Sequence, residues 1–149
     1  MKKTLIFIIS FLICSPTLCM NSGDTPLHCA VKSTEVRKVY QLLEQGTDVN
    51  ALNNDDQTPL HYVSYAAGFD RVDIAYLLLE YGAKSVINKP DKKGNTILHY
   101  AALIGSKILV EFLLEYDADP NIKNSEGQTP LASATSKGHK AVIDFLKDK

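Results

Sequence analysis

The sequence predicts an all-α solenoid of four stacked helix-turn-helix units. A motif of Thr, then Pro or Ile, then Leu, then His or Ala occurs four times, beginning at Thr25, Thr58, Thr96 and Thr129. These threonines are separated by 33, 38 and 33 residues, and a pair of adjacent leucines follows the motif in each of the first three copies. A recurring spacing of this size is typical of stacked repeats, in which one unit alone is too small to bury its apolar face.

The composition is that of a folded globular chain. Of the 149 residues, 45% are apolar and 22% are charged, which is too apolar for a disordered segment. The 16 Lys and Arg residues nearly balance the 17 Asp and Glu residues, so the chain lacks the basic character that nucleic-acid binding requires. Three cysteines are too few for a disulfide scaffold, and no Cys or His cluster has the spacing of zinc ligands. We expect no nucleic-acid partner, no metal and no cofactor.

The N-terminus has the order of charged and apolar residues found in a secretory signal peptide. Lys2 and Lys3 precede an apolar run well short of the ~20 residues that cross a bilayer. We expect a signal peptide over residues 1–19, cleavage after Cys19, and an exported protein, periplasmic or secreted, with no membrane segment in its mature form. An uncleaved anchor or a buried N-terminal helix is the alternative. Cleavage removes two lysines, shifts the formal charge from −1 to −3, and leaves Cys29, expected to be a small packing residue, as the one cysteine.

Within each unit the residues predict two helices joined by a tight reversal. Threonine followed by proline favours a helix start, because the hydroxyl accepts from free backbone amides and proline at the first helical position sacrifices no needed donor. Gly105 and Gly138 lie nine residues after their threonines, where the first helix ends and the chain reverses. A second apolar helix follows, such as residues 108–114, and a loop rich in Asn, Asp and Gly leads to the next unit. The motif residues with a structural role are Thr25, Pro26, His28, Thr58, Pro59, His61, Thr96, His99, Thr129 and Pro130.

This arrangement resembles the ankyrin repeat, whose TPLH, Gly-His, Leu-Leu and Gly-Ala-Asp-Val-Asn landmarks recur here in the same order. The resemblance covers about residues 21–149 and implies paired antiparallel helices with hairpin or β-turn fingers projecting from the stack. The units fall at about 21–53, 54–91, 92–124 and 125–149. The second unit carries five extra residues, and Thr34 stands where the reversal glycine of the first unit belongs. Ala132 replaces the motif histidine in the fourth unit, and Asp117 replaces a helix-ending glycine in the third.

Three histidines, His28, His61 and His99, occur once in each of the first three units, but no carboxylates or cysteines accompany them at ligand spacing. The resemblance implies that each one hydrogen-bonds near its turn and joins neighbouring units. A nucleophile, a base and an orienting residue do not occur together, and no glycine-rich phosphate loop precedes a helix. We therefore predict that the protein is not an enzyme and has no catalytic, cofactor-binding or metal site.

The resemblance also implies a surface for a protein partner. In ankyrin-like proteins, partners usually dock on a concave side formed by the finger tips and the outward positions of the first helices. Leu103 and Ile104 occupy two such positions that are usually solvated, and exposed apolar groups rimmed by polar ones are typical of interfaces. The second unit is also rich in tyrosine, either as part of this surface or to fill the space that the insertion creates. The residues expected to contact the partner are Tyr65, Lys92, Lys93, Asn95, Leu103, Ile104, Gln57 and Gln128.

Together these features predict a monomeric, non-catalytic module for protein–protein interaction, whose partner the sequence does not identify. A leader on such an array resembles small secreted proteins of bacteria, including host-associated ones, which favours a host protein as the partner. The alternative is a periplasmic protein that protects or inhibits an enzyme.

Overall fold

The computed structural model describes residues 23–66, 68 and 70–149, so the leader predicted over residues 1–19 lies outside the described residues. Eight α-helices and no strands occur within this part of the chain. We number the helices along the chain as α1 Pro26–Lys32, α2 Val36–Glu44, α3 Pro59–Tyr62, α4 Asp70–Glu80, α5 Ile97–Leu103, α6 Lys107–Glu115, α7 Pro130–Lys137 and α8 Lys140–Leu146. The two 3-10 segments among these residues, Val63–Tyr65 and Ala83–Val86, both belong to the second unit. None of these described helices is long and apolar enough to cross a bilayer.

The helices form two layers. The first helices of the units, α1, α3, α5 and α7, pack on one another in chain order, and so do the second helices α2, α4, α6 and α8. One continuous apolar cluster runs through all four units. Its fully buried members include Leu27, Leu60 and Leu98 on first helices, and Ile74 and Leu109 on second helices. The predicted all-α repeat solenoid is therefore confirmed.

Each first helix begins at the predicted threonine. The N-cap residues are Thr25, Thr58, Thr96 and Thr129, all in extended backbone conformation. In the first three units the threonine and the histidine three residues later form a reciprocal capping box, in which each side chain bonds the backbone amide of the other. In the fourth unit Thr129 accepts from the backbone amide of Ala132. The helix starts thus follow directly from the recurring motif.

Between units the chain forms short hairpins, which are the predicted fingers. In each finger a backbone amide donates to the carbonyl four residues ahead over 2.9–3.0 Å, in the pairs Asn53 and Gln57, Asp91 and Asn95, and Asn124 and Gln128. Neighbouring fingers also bond through their backbones. The amide of Lys92 donates to the carbonyl of Asp55, and the amide of Ser125 donates to the carbonyl of Lys93, each over 3.0 Å. The three fingers therefore form one connected row along the stack.

Left-handed backbone positions recur at equivalent places even where glycine is absent. The three reversal glycines have φ angles of +66° to +72°, and Thr34, at the same place in the first unit, has a φ of +59°. Asp117 has a φ of +69° at the end of the third unit's second helix. The geometry of the repeat therefore imposes this conformation on residues that adopt it at a cost.

The extra residues of the second unit change its first helix, its second helix and its return loop. Helix α3 gives way to the 3-10 segment Val63–Tyr65, and Ala83–Val86 forms a 3-10 turn in the return loop. Helix α4 has 11 residues, whereas α2 and α6 have nine each. The insertion is thus spread over the unit.

Cys29 on α1 is 4% exposed and lies in the apolar core, which confirms the expected packing residue. It is also disulfide-bonded, which the sequence did not lead us to expect.

Candidate protein-binding surface

Three buried histidines, His28, His61 and His99, link each unit to the next. In each ring Nδ1 lies 2.8–3.0 Å from the hydroxyl of the capping threonine and 3.1–3.2 Å from that threonine's backbone nitrogen. Nε2 lies 3.0–3.3 Å from the carbonyl oxygen of the residue just before the next capping threonine. Because a carbonyl oxygen can only accept, Nε2 carries the proton and Nδ1 is the acceptor. Each histidine thus joins a helix start to the following finger.

Burial favours the neutral form of these histidine rings. Desolvation lowers the pKa of all three below its ordinary value, against the opposing effects of the carbonyl hydrogen bond and of nearby Asp24 or Asp91. Within the part of the chain that the structure describes, no group of three or more His, Cys, Asp or Glu residues could hold a metal ion. The hydrogen bonds of these histidines connect neighbouring units.

Beneath the fingers lies a row of polar side chains, which we call the polar ladder and which the sequence reasoning missed. Asn53, Asp91 and Asn124 hold equivalent positions in it. Oδ1 of each accepts from the backbone amides two and four residues ahead over 2.9–3.0 Å, which shapes the finger. Their spacings of 38 and 33 residues match those of the threonines, and this was the signal that could have found them.

Each member of the polar ladder also reaches back to the preceding finger. The rungs are Asn53 Nδ2 donating to Asp24 Oδ1 over 2.9 Å, Gln57 Nε2 donating to Asp91 Oδ2 over 3.1 Å, and Asn124 Nδ2 donating to Asn95 Oδ1 over 2.9 Å. The hydroxyl of Tyr62 donates to Asp24 over 2.6 Å, and that of Tyr100 donates to Asp91 over 2.5 Å. These bonds tie two first-helix tyrosines to the fingers.

Asp91 is the most heavily bonded member of the polar ladder. Burial acts to raise its pKa, but hydrogen bonds from Tyr100, from the backbone amides of Asn95 and Lys93, and from Gln57 outweigh burial and lower it. Burial, together with the bond to this carboxylate, raises the pKa of Tyr100. Asp91 is therefore ionised and Tyr100 protonated at neutral pH, which keeps the hydroxyl donating to the carboxylate.

The anchored tyrosines support an exposed apolar group on the first helices. The Tyr65 ring lies 5.3 Å from the Tyr62 ring, edge to face, and 6.4 Å from the Tyr100 ring, between centroids. Tyr65 is 52% exposed, and Leu103 and Ile104 at the end of α5 are 36% and 39% exposed. Together with charged residues at the helix ends and finger tips they form what we call the first-helix surface: Lys32, Asp55, Tyr65, Lys92, Lys93, Leu103, Ile104, Glu126 and Lys137.

The other predicted contact residues lie on the fingers. Lys92 and Lys93 are exposed at a finger tip, where the Lys92 ammonium donates to the carbonyl of Asn54 over 2.5 Å. Asn95 and Gln128 are half-buried at the finger bases, where Asn95 is a rung of the polar ladder. The fingers therefore present charged tips above a largely internal polar row.

Gln57 does not lie on the first-helix surface, contrary to expectation. Its side chain is only 8% exposed. The reason is that its amide donates to Asp91 over 3.1 Å and to the hydroxyl of Tyr100 over 3.3 Å. Gln57 is a buried link between two units and is not a contact residue.

A second group of exposed apolar residues lies on the second helices and at the end of α4. It comprises Tyr40, Tyr76, Tyr81 and Ile108, of which Ile108 is 57% exposed. The hydroxyl of Tyr81 donates to Glu44, and this bond raises the pKa of Tyr81 to about 12. The sequence predicted a helix that begins at Ile108, but it did not reveal that the Ile108 side chain faces outward.

Comparison with known proteins gives one consistent family. A family model described as ankyrin repeats (3 copies) matches residues 2–89 and, in a second overlapping match, residues 64–149. The B-cell lymphoma 3 protein homolog of Mus musculus is 34% identical over 128 residues, which are 85% of this chain and 27% of that protein. Putative ankyrin repeat protein FPV024 of fowlpox virus is 31% identical over 137 residues, 87% of this chain and 22% of that protein.

Protein glp-1 of Caenorhabditis elegans is 29% identical over 141 residues, which are 89% of this chain and 11% of that protein. The chain therefore spans about a quarter or less of the length of these curated relatives.

Proposed function

The chain belongs to the ankyrin repeat family, whose repeats generally mediate protein–protein interaction, and we propose that it is a non-catalytic module that binds a protein partner on its first-helix surface. The stacked units supply the scaffold, and the side chains that it exposes make the contact. The observation that carries the proposal is the apolar group of Tyr65, Leu103 and Ile104, each more than a third exposed although it belongs to the layer of first helices.

The Tyr65 ring is suited to binding because its position is held before a partner arrives. Tyr65 is packed against two tyrosine rings, one of which is fixed by its bond to Asp24 and the other by its bond to Asp91. A partner that covers the Tyr65 ring removes apolar area from water without first ordering a loop. Polar and charged finger tips around an apolar centre also match the usual arrangement of an interface.

The test measures how much of the partner is captured by the unaltered chain and by each of two variants. Leu103→Ser/Ile104→Lys alters the first-helix surface, whereas Ile108→Ser alters an exposed apolar residue of α6 outside it. Partners captured by the unaltered chain from the compartment where it accumulates are identified by mass spectrometry and then quantified for each variant. We expect the double variant to melt near the unaltered protein, since both residues are exposed, and to lose about tenfold or more of the captured partner. Ile108→Ser should retain the partner. Undiminished capture by a well-folded double variant contradicts the proposal.

We also propose that the chain is exported and that its partner is a host protein. The charged and apolar residues of the predicted leader support export, although they lie outside the described residues. Intact mass of the accumulated protein, measured after reduction because Cys29 is disulfide-bonded, tests the leader: loss of residues 1–19 supports export, and retention of Met1 contradicts cleavage. Recovery outside the producing cell separates a host-directed protein from the alternative, a periplasmic inhibitor or protector of an enzyme.

A further inference from the structure

The chain distributes its acidic residues unevenly between the two helix layers. The first helices α1, α3 with its 3-10 continuation, α5 and α7 contain no Asp or Glu, and their two charged residues are Lys32 and Lys137. The second helices contain seven acidic residues, Glu44, Asp70, Asp73, Glu80, Glu111, Glu115 and Asp144. A chain with a net charge of −1 therefore presents an acid-free row of helices on one side.

The two lysines flank the exposed apolar group. Lys32 lies at the end of the first unit's first helix, and its ammonium is 5.9 Å from the centre of the Tyr62 ring. Tyr65 and Leu103 hold the corresponding places in the second and third units, and Lys137 ends the first helix of the fourth. Across the stack the order is thus cation, aromatic, aliphatic, cation.

Neither of these ammonium groups forms an ion pair with a carboxylate of the described residues. The ion pairs found within the described residues are Lys38 with Glu35, Lys84 with Asp117, and Lys107 with Glu111. Lys32 and Lys137 are both exposed, so their charge is available to a docked segment. Opposite charge on a partner would steer it to this row and fix its orientation.

The finger tips carry charges of both signs. Asp55, Asp56 and Glu126 lie on the two outer fingers, and Lys92 and Lys93 are exposed on the finger between them, so the tips have one more acid than base. The acids of the polar ladder, Asp24 and Asp91, already accept from tyrosine hydroxyls and amides. The helix row, with Lys32 and Lys137 and no acid, is therefore the positive part of this surface, whereas the fingers as a whole are acidic.

From this charge pattern we propose that the first-helix surface takes an extended segment of the partner protein with apolar side chains at its centre and Asp or Glu at both ends. The inference rests on the proposed function and adds the chemistry of the partner. Three unit-to-unit steps separate Lys32 from Lys137, and neighbouring helices pack about 8–10 Å apart, so the row is ~24–30 Å long. An extended chain rising ~3.3 Å per residue covers that length with about seven to nine residues.

The experiment selects binders without assuming a sequence. A displayed library of random segments about nine residues long is screened on the full chain, and the best segment is synthesised with a fluorescent label. Its affinity is measured by fluorescence anisotropy for the unaltered chain, for Lys32→Glu/Lys137→Glu and for Lys123→Glu/Lys140→Glu. The last variant changes the net charge equally but alters exposed lysines outside the first-helix surface.

We expect the selected segments to carry Asp or Glu at both ends of an apolar centre. The affinity should fall about tenfold in Lys32→Glu/Lys137→Glu and little in the control, and the difference should shrink as salt is added. Selection of segments with basic or uncharged ends overturns the inference, as does failure to select any. Equal affinity for the two charge variants also overturns it.

The same probe separates this inference from the proposed function. If Leu103→Ser/Ile104→Lys abolishes binding while Lys32→Glu/Lys137→Glu leaves the affinity unchanged, that result overturns the charge inference alone. Binding that persists in Leu103→Ser/Ile104→Lys contradicts the proposed surface as well. If sedimentation of the chain shows a dimer that Leu103→Ser/Ile104→Lys dissociates, the occupant is a second copy and the inference is overturned.

Discussion

The side-chain amide of Gln57 donates to the carboxylate of Asp91 over 3.1 Å, which joins the finger before helix α3 to the finger before helix α5, at the boundary of the second and third units. Both residues are buried, at 8% and 6% exposed, and the same carboxylate oxygen accepts from Tyr100. In a solenoid each unit contacts only its neighbours, so stability depends on bonds that cross such boundaries. This pair is the central rung of the polar ladder, and it also holds a tyrosine that supports the exposed apolar group.

Replacing Gln57 with alanine should therefore lower the free energy of unfolding more than the same change at Gln128, which holds the equivalent position in the repeat. Gln57→Ala leaves Asp91 with one donor fewer in a buried site, and we expect the free energy of unfolding to fall by about 1–2 kcal/mol. The side chain of Gln128 is half-buried and its backbone carbonyl still accepts from His99, so Gln128→Ala should cost less than about 0.5 kcal/mol. Urea unfolding of the two variants measures both values. Equal losses in the two variants would show that the bond between Gln57 and Asp91 contributes nothing to the free energy of unfolding.

Two finger glycines offer a test of how closely neighbouring fingers approach. Gly94 and Gly127 have φ angles of +76° and +74°, so alanine is strained equally at both. A Cβ at Gly94 would lie 2.6 Å from the backbone nitrogen of Ser125, whereas a Cβ at Gly127 would meet nothing within 4 Å. We expect Gly127→Ala to cost about 1–2 kcal/mol through the left-handed backbone alone. Gly94→Ala should cost at least about 1 kcal/mol more, because backbone must move. A smaller loss at Gly94 would contradict the observed finger contact.

The buried histidines should make stability depend on pH. Desolvation lowers the pKa of His28, His61 and His99 in the folded chain, so below about pH 6.5 the unfolded chain binds more protons than the folded one. Their contribution is therefore fully present above that pH and is lost as the pH falls toward the folded-state pKa values. The urea midpoint, measured from about pH 8 to about pH 5, should decrease steadily below pH 6.5.

His99→Ala is the matched control for this pH dependence. The variant lacks one bond to the backbone carbonyl of Gln128, so it should be less stable at about pH 8. It also lacks one of the three titrating rings, so its midpoint should change less between about pH 7 and about pH 5 than that of the unaltered chain. An unchanged slope would mean that other groups cause the pH dependence.

Most of the fold could be predicted because the repeat places the same local chemistry at the same interval. Thr25 and its equivalents cap helices for reasons contained in four consecutive residues. Thr34 and Asp117 also adopt the expected left-handed backbone, since the position in the repeat matters more than the side chain there. Contacts between side chains of different units were harder to predict from the sequence. The burial of Gln57 follows from a bond to Asp91, 34 residues away, which no local pattern encodes.

The candidate surface could be predicted only where the position in the repeat determines whether a side chain is exposed. Position before a reversal glycine was enough to expect that Leu103 and Ile104 would be exposed, and both are. Tyr65 and Tyr62 belong to the same tyrosine-rich unit, yet one is 52% exposed and the other 5%. Their difference arises because Tyr62 reaches Asp24 in the preceding finger, whereas Tyr65 belongs to the 3-10 segment that ends the first helix. The sequence therefore indicated the surface but not which tyrosines form it.

The insertion in the second unit changes the hydrogen bonds between neighbouring return loops. In the return loop of the second unit Asn88 bridges to the following loop twice, accepting from the amide of Asp119 over 2.8 Å and donating to the carbonyl of Asp117 over 3.1 Å. Asn50, its equivalent one unit earlier, faces the inserted 3-10 turn instead. Its side-chain amide donates to the hydroxyl of Ser85 over 3.4 Å, and its buried Oδ1 has no partner among the described residues.

Alanine at these two equivalent positions should consequently have different effects. Asn88→Ala removes two bonds between neighbouring loops, and we expect the free energy of unfolding to fall by about 1 kcal/mol. Asn50→Ala removes one long bond together with an unsatisfied buried acceptor, so the two effects offset each other and the change should stay within about 0.5 kcal/mol. Urea unfolding of the two variants measures the difference. If Asn50→Ala proved as destabilising as Asn88→Ala, the inserted turn would have to satisfy Asn50 as fully as the ordinary loop satisfies Asn88, and the insertion would not weaken this boundary.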